Sequence, residues 1–165
     1  MRIPGLFELA ICGLDGLDAL AGQPFTRVIS ISDTGVLPAH AGEGRAAPRL
    51  PRRKGPLLLF RRRRVPQGRG PARNEIMRIL LFSLSFTPQD RVLIQCRAGI
   101  SRSTALACAI VCQHLPIGQE RKAVAHVRAL RPQLLPNFLV IKLADELLER
   151  QGRLAAAVAA VREAF

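Results

Sequence analysis

The feature that most constrains the fold is a strand-like run, a short loop and a helix-like run that follow one another over residues 91–115. "RVLIQC" (91–96) is almost continuously apolar, which is typical of a strand buried on both faces of a parallel sheet. "STALACAIVCQHL" (103–115) carries a face of small residues, and we predict a helix from about 101 to 114. A buried strand that leads through a tight loop into a helix is the repeating unit of α/β layer folds.

The rest of the chain supports this architecture. Hydrophobic residues make up 48% of the 165 residues, enough for one core, and only 4% are aromatic, so the core must be aliphatic. We therefore predict one α/β domain, 1–165, with a short, mostly parallel central sheet flanked by helices. The predicted strands are 6–12, 25–32 and 91–96, with "PLLLF" at 56–60 as a candidate further strand. The further predicted helices are 74–86 with Asn74 as N-cap, 118–130, 136–151 and the C-terminal run.

Residues 38–73 differ from the rest in composition. They contain eleven Lys and Arg but a single acid, Glu43, and so carry most of the net charge of +13. Such a Pro-, Gly- and Arg-rich stretch buries too little to order itself, and we predict that it is poorly ordered. Three interpretations of Arg61 to Arg64 stay open: a solvated loop, a rim that attracts phosphates or nucleic acid, or a misread frame that resequencing of the coding DNA would detect.

The four cysteines indicate a reducing compartment. A chain of this length is no small disulfide-stapled scaffold, so we expect free thiols and a cytoplasmic protein. Cys108 and Cys112 are four residues apart on one helix, and we interpret them as core residues rather than as metal ligands with His114. We expect no metal, no cofactor and no membrane partner, because no apolar run reaches the ~18 residues of a membrane span, and the N-terminus does not read as a signal peptide.

"CRAGISR" (96–102) carries the candidate chemistry. A loop between a buried strand and a helix N-terminus turns backbone N–H groups toward one point and makes an anion site. Gly99 permits the tight curvature, and Arg102 adds a planar fork for two phosphate oxygens. The same field should lower the pKa of Cys96 below the ~8.5 of a free thiol, which makes it a nucleophile. Ser103 can stabilise the departing thiolate.

This constellation resembles the cysteine-dependent tyrosine and dual-specificity phosphatases, and in particular small bacterial proteins of that type. Their motif is Cys, five residues, Arg, then Ser or Thr, and the downstream "RPQLLPN" (131–137) is also similar to their Arg-Pro…Pro-Asn turn. The likeness covers residues 6–34 loosely and 91–165 well. It implies that Cys96 forms a phosphocysteine and that Arg102 stabilises the transition state, while the phosphate is held by the loop residues Arg97, Ala98, Gly99, Ile100, Ser101 and Arg102.

The chain departs from the family pattern at two points. Gln95 stands where the family usually has a histidine before the cysteine, and this change should raise the thiol pKa somewhat. The family's general-acid Asp, typically thirty to forty residues before the cysteine, has no counterpart, since no carboxylate lies between Glu43 and Glu75. Asp33, after the second predicted strand, is the candidate substitute, while Glu75 and Asp90 read as a helix-start charge and a loop charge.

These residues predict a phosphatase that hydrolyses phosphoryl esters of proteins or small molecules. Three rivals stay open. A pseudophosphatase would bind phosphorylated partners in the same loop without turnover. A nucleic-acid-binding protein would use residues 45–73 and bind with a steep salt dependence. A rhodanese-like sulfur transferase also cradles a thiolate, but the Ser-Arg-Ser run and the Pro-Asn turn disfavour it. The sequence predicts no oligomeric state.

Overall fold

The computed structural model describes residues 5–33, 57–62 and 73–162, with the backbone alone for 32, 33 and 57–62. Four strands and six helices lie in this part of the chain. In chain order they are β1 (Glu8–Cys12), α1 (Leu17–Leu20), β2 (Arg27–Asp33), β3 (Leu57–Arg62), α2 (Arg73–Ser83), β4 (Arg91–Gln95), α3 (Arg102–Gln113), α4 (Glu120–Leu130), α5 (Phe138–Leu147) and α6 (Arg153–Arg162).

The strands form one sheet in the order β1-β4-β2-β3, and every pairing is parallel. This confirms the predicted α/β class with a short parallel sheet. Cys12 of β1 lies opposite Gln95 of β4, and Ser30 of β2 pairs with the same residue from the other side. Because all strands run the same way, their carboxyl ends meet at one edge of the sheet, which is where ligands of such folds bind.

Two hydrophobic clusters cover the two faces of the sheet. The larger one joins the sheet to α2 through α6, and the smaller one lies under α1. Alternation along β4 directs Val92, Ile94 and Cys96 to the larger cluster and Leu93 to the smaller one. Cys96 therefore faces α3, and Cys12 faces α1.

Cys108 and Cys112 are fully buried in the larger cluster, which agrees with their interpretation as core residues. Burial raises the pKa of the Cys112 thiol to about 11, and it raises that of Cys108 as well. Within the described ranges, no group of His, Cys, Asp and Glu side chains is arranged to hold a metal ion. Nor do the helices of that same part include one with the length and apolar character needed to traverse a bilayer.

Several predicted boundaries are wrong. Helix α2 begins at Arg73, so Asn74 lies inside it and is not its N-cap, and it ends at Ser83, where the Ser83 hydroxyl donates to the Leu80 carbonyl. Helix α5 begins at Phe138 and not at 136 as predicted, because the Asn137 side chain caps it. Strand β3 confirms the apolar run at 56–60 as a strand and extends to Arg62, so two of the four consecutive arginines belong to the sheet. The segment predicted to be poorly ordered is 38–73, and apart from 57–62 and Arg73 it lies outside the described residues.

Asp90 holds the edge of the sheet opposite the carboxyl ends. Its carboxylate accepts hydrogen bonds from the Thr26 hydroxyl (2.6 Å) and from the Thr87 backbone N–H (2.9 Å), and Arg27 lies 3.6 Å away. Burial opposes ionisation, but these donors together hold the pKa of Asp90 below its usual value. The predicted loop charge is therefore a structural anchor of the turn before β4.

A buried ion pair joins the last helices. Arg150 donates to Glu120 (3.2 Å) and to the Cys112 carbonyl (2.7 Å), and both charged side chains are at most 6% exposed. Burial opposes ionisation of Glu120, but its backbone and Arg150 hydrogen bonds outweigh burial and lower its pKa. The pair thus fixes the C-terminal end of α3 against α4 and the turn before α6.

We expect Arg150→Met to lower the free energy of unfolding by about 3 kcal/mol, because it removes the nearest cation from the buried Glu120 carboxylate and leaves it only Arg153 at 3.8 Å and the Gly118 N–H. Urea unfolding at neutral pH measures the loss. The double variant Glu120→Gln/Arg150→Met should recover part of it, and an equal loss in the double variant would contradict this account. Because the Glu120 pKa is lowered on folding, the wild-type contribution is present above the unfolded pKa and is lost as pH falls through the folded one.

Candidate active site

The loop of residues 96–102 leaves β4 at the carboxyl edge of the sheet, and α3 begins at its last residue, Arg102. Gly99 has φ +70, a conformation that L side chains rarely adopt. A Cβ at Gly99 would also collide with the backbone of Cys12 and Gly13. Glycine is therefore required at this position both for curvature and for the close approach of β1.

Two long-range donors bind carbonyls in the first half of the loop. The Leu14 N–H donates to the Arg97 carbonyl (3.0 Å), and the Arg131 Nε donates to the Gly99 carbonyl (3.2 Å). Leu14 follows β1, and Arg131 opens the 131–137 turn. The loop is thus held from two distant parts of the chain.

The second half of the loop is held in the same way. The Leu135 N–H donates to the Ile100 carbonyl (2.7 Å), and the Asn137 N–H donates to the Ser101 carbonyl (3.2 Å). The Thr104 hydroxyl lies within 2.7 Å of the Ile100 carbonyl and 3.0 Å of the Ser101 carbonyl. The 131–137 turn therefore packs directly behind the loop.

These contacts fix the direction of the loop's N–H groups. In a trans peptide unit the C=O and the following N–H point in opposite directions. Four carbonyls bound from outside therefore turn four N–H groups to the opposite side of the loop. They belong to Ala98, Ile100, Ser101 and Arg102.

The Cys96 sulfur lies at the base of the loop and is stabilised as an anion. Its Sγ is 3.1 Å from the Ser103 hydroxyl and accepts from the Gly99 N–H at 3.3 Å. Burial favours the neutral thiol, since Cys96 is only 2% exposed, but hydrogen bonds from Ser103, Gly99 and Ser101 outweigh burial and lower the pKa. A lowered pKa of Cys96 was expected from the sequence, and its causes are hydrogen bonds from the loop and from the first turn of α3.

Cys12 provides an internal comparison. It ends β1 beside the loop, and its carbonyl accepts the Cys96 N–H at 3.4 Å. Burial raises the pKa of Cys12 to about 11, and the positive charge of Arg131 only partly opposes this rise. Of these two neighbouring thiols, only Cys96 has the hydrogen-bond donors that favour a thiolate.

Gln95 does not take the place of a histidine beside the sulfur. Its side chain lies on the α1 face, where its Nε2 donates to the Ser30 hydroxyl of β2. Its Oε1 is buried and has no hydrogen-bond partner among the residues that the structure describes. The residue ties β4 to β2 behind the loop, and this role follows from the strand pairing rather than from local sequence.

Asp33, the candidate proton donor of the sequence analysis, is the last residue of β2 and lies at the same sheet edge as the loop. Its side chain lies outside the described part. Sequence reasoning missed the contribution of β1: Gly13 and Leu14 pack on the loop, and Asp15 follows them. The only local signal was the "CGLDG" turn directly after a strand end, and it carries no meaning until β1 is known to neighbour β4.

We expect Ser103→Ala to raise the pKa of the Cys96 thiol, because the largest hydrogen-bond contribution to the thiolate is lost while burial stays. The measurement is the pH dependence of alkylation by iodoacetamide, followed on the peptide that contains Cys96. Thr104→Val is the matched control, since its hydroxyl bonds loop carbonyls and not the sulfur. A Ser103→Ala titration curve that overlays the wild-type curve would rule out this role.

Neither protein-family models nor curated proteins match the chain. Solved structures do match. Human tyrosine phosphatase-like serine/threonine/tyrosine-interacting protein has 20% sequence identity and a TM-score of 0.58, over 89% of this chain and 93% of that one. A mouse putative dual specificity phosphatase complexed with zinc tungstate has 17% identity and a TM-score of 0.56, over 95% and 94%. Tk-PTP in its active form has 20% identity and a TM-score of 0.53, over 90% and 96%.

The alignments cover 93–96% of these three matched chains. The site described above lies in the loop between β4 and α3. The chain has the fold of the tyrosine and dual-specificity phosphatases.

Proposed function

We propose that this protein is a phosphatase that hydrolyses phosphoryl monoesters through a phosphocysteine on Cys96. The observation that supports this most is the 96–102 loop, in which four carbonyls are bound from outside and four N–H groups face the other way, with a stabilised sulfur at the base. An oxyanion of tetrahedral shape fits such an arrangement.

In the first step, loop N–H groups and the Arg102 guanidinium would bind the nonbridging oxygens of the phosphoryl group. The charge that builds on these oxygens in the transition state is stabilised by donors that are already oriented. The Cys96 thiolate forms the S–P bond while the ester P–O bond breaks in line. The leaving oxygen departs as an anion or takes up a proton from water or from a carboxyl group at the edge of the site.

In the second step, water attacks the phosphocysteine and the S–P bond breaks. The leaving group is then the Cys96 thiolate, and the Ser103 hydroxyl at 3.1 Å is placed to donate to it. The low thiol pKa therefore serves both steps, because it favours the nucleophile in the first and the leaving group in the second. The loop releases inorganic phosphate.

The substrates that suit this site are phosphorylated proteins or small phosphoesters. Aryl esters such as phosphotyrosine have better leaving groups than alkyl esters and depend less on a proton donor. Asp33 ends β2 at the site edge and stays a candidate for that donor. The reaction uses thiol, guanidinium and amide chemistry, so the proposal includes no metal and no cofactor.

Binding without turnover is the second candidate. One structural neighbour is described as a phosphatase-like interacting protein, and the loop here would bind a phosphorylated partner whether or not hydrolysis follows. Nucleic-acid binding through residues 45–73 is less supported, because most of that segment lies outside the described residues. It would show as binding that weakens steeply with salt and is lost when Arg61 to Arg64 become alanine.

The deciding experiment is rapid acid quench of the protein mixed with p-nitrophenyl phosphate. We expect a burst of nitrophenol equal to the enzyme concentration and a phosphoryl group on the peptide that contains Cys96. Tungstate, measured by calorimetry, should compete with substrate. Tungstate binding with neither burst nor phosphopeptide would establish the binding protein instead of the enzyme.

A further inference from the structure

The carboxyl end of β3 brings two arginines to the sheet edge where the 96–102 loop lies. β3 pairs with β2 in parallel, and its last two residues, Arg61 and Arg62, lie opposite Ser32 and Asp33. β2 in turn pairs in parallel with β4, which leads into the loop. The carboxyl ends of these three strands therefore lie at one edge of the sheet, and the backbone of both arginines lies at the same edge as the anion site.

The strand order sets how far the β3 arginines are from the loop. In the order β1-β4-β2-β3, β3 lies two strands away from β4. Neighbouring strands lie about 4.8 Å apart, so the axes of β3 and β4 are about 10 Å apart. Gln95, Ser30 and Leu59 form one row across the sheet. Arg61 and Arg62 come shortly after Leu59, just as the loop comes directly after Gln95, so both extend beyond the same row.

Four of the carboxylates are held away from this edge. Glu8 starts β1 and Asp90 precedes β4, so both lie at the opposite edge of the sheet. Glu120 and Asp145 are buried among the C-terminal helices, where Arg150 and the backbone at the start of α6 donate to them. None of these four groups is placed to neutralise arginines at the carboxyl edge.

Positive residues outnumber negative ones at the carboxyl edge. Arg97 is an exposed residue of the loop, and Arg102 is its last residue, so the two β3 arginines add to charge that is already there. Among the described residues, the acids that end or follow a strand at this edge are Asp15 and Asp33. This balance suits a ligand that carries more negative charge than one phosphoryl group.

We propose that Arg61 and Arg62 form a second phosphate-binding position, so that the preferred substrates are small phosphomonoesters that carry a second phosphate group. The inference depends on the phosphatase activity proposed above. The loop would bind the phosphoryl group that is hydrolysed, and the β3 arginines would bind the phosphate that stays on the product. Guanidinium suits this role, because its planar fork binds two phosphate oxygens at once and keeps its charge at every physiological pH.

The short distance between the two positions favours a small molecule. A strand separation of about 10 Å can be spanned by one sugar, one polyol or a short carbon chain with a phosphate at each end. No protein is needed to present both groups. The chemical class is therefore a polyol or sugar bisphosphate whose two phosphates are esters of different oxygens.

The test uses two matched series of esters, the bisphosphates of straight-chain α,ω-alkanediols and the monophosphates of alkanols of the same lengths. Both series have alkyl leaving groups, so the ratio of their kcat/KM values reports the second phosphate alone. We expect the bisphosphate to be favoured by at least about 10-fold at the best length, since a hydrogen-bonded charge pair contributes that much. The ratio should pass through a maximum with chain length and should fall as salt is added, because exposed charges are screened.

The double variant Arg61→Gln/Arg62→Gln should lose this preference for the bisphosphate. The matched control is Arg121→Gln/Lys122→Gln, which removes the same charge from an exposed part of α4 near its first residue, far from the 131–137 turn. The control should keep the preference. Tungstate binding, measured by calorimetry, shows whether the loop of each variant is intact, and the single variants Arg61→Gln and Arg62→Gln replace the double one if it does not fold.

The outcomes separate this inference from the phosphatase proposal. A preference that is present in wild type and in the α4 control, and lost in the β3 variant, supports it. Equal rates for the two series in wild type, or a preference that the β3 variant keeps or that both double variants lose alike, overturn it and leave the phosphatase proposal intact. A preference for a doubly phosphorylated peptide or for an oligonucleotide as competitor, without one for the diol bisphosphates, also overturns it. If wild type forms no phosphocysteine from any ester, the phosphatase proposal fails first and the substrate class falls with it.

Discussion

Replacement of Cys96 by serine is expected to abolish aryl phosphate turnover while oxyanion binding survives. A serine hydroxyl is not ionised at neutral pH, so the hydrogen bonds from Ser103 and Gly99 that stabilise the thiolate have no anion to act on. The loss should be on the order of 10⁴-fold or more in kcat, the scale seen when a hydrolase loses its nucleophile. Tungstate should still bind, because the N–H groups of the loop belong to the backbone and are held by Leu14, Arg131 and the residues that follow it.

Cys12→Ser is the matched control for this variant. Cys12 is a buried neighbour of the same loop, and its pKa of about 11 keeps it neutral at pH 7. We expect the Cys12→Ser variant to retain turnover. Iodoacetamide should still alkylate this variant once, at Cys96. Full activity of Cys96→Ser, or loss of activity in both variants alike, would contradict a nucleophilic role for Cys96.

Replacement of Gly99 by alanine is expected to disable the loop and to destabilise the fold. The added Cβ would meet the Cys12 carbonyl oxygen at 2.8 Å and would collide with other backbone atoms of β1, which cannot rotate away as a side chain can. Left-handed backbone costs an L residue about 1–2 kcal/mol, and the collision adds about 1–3 kcal/mol. A displacement of about 1 Å in the loop is enough to reduce turnover by roughly 10²-fold.

Gly118→Ala isolates the contribution of backbone conformation. Gly118 also has positive φ, +92, but a Cβ there would meet nothing within 4 Å. Urea unfolding and tungstate affinity should therefore show a small stability loss and unchanged binding for Gly118→Ala, and a larger loss on both measures for Gly99→Ala. Equal stability losses and equal tungstate affinities in the two variants would show that close packing between β1 and the loop contributes to neither property.

The sequence predicts those features that are local in the chain. The order of strand, glycine loop and helix around Cys96 is contiguous, so its residue types alone indicate an anion site, and the 131–137 turn could be read from its Arg-Pro and Pro-Asn pairs. The α/β class followed from the same contiguous units. Asp90 could be recognised as a loop charge, although its hydrogen-bond donors Thr26 and Thr87 and its ion-pair partner Arg27 could not.

Features that depend on strand order could not be predicted. Nothing in residues 12–15 indicates that β1 neighbours β4, and so the packing of Gly13 on Gly99 and the approach of Asp15 became visible only with the sheet. Gln95 directly precedes Cys96 in sequence, yet alternation along β4 directs its side chain to Ser30 on the other face of the sheet. Asparagine is a common N-cap residue, but helix α2 starts at Arg73, one residue before Asn74.

The outward bonds to the loop come from segments that are synthesised at very different times. Leu14 leaves the ribosome long before Cys96, whereas Arg131, Leu135 and Asn137 follow it by more than thirty residues. A nascent chain that has just exposed the thiol has acquired Leu14 but not yet the other three donors, Arg131, Leu135 and Asn137, that orient the amides around it. Affinity for phosphate should therefore emerge late in translation, so that an unfinished polypeptide carries the reactive sulfur without yet being able to capture an anion.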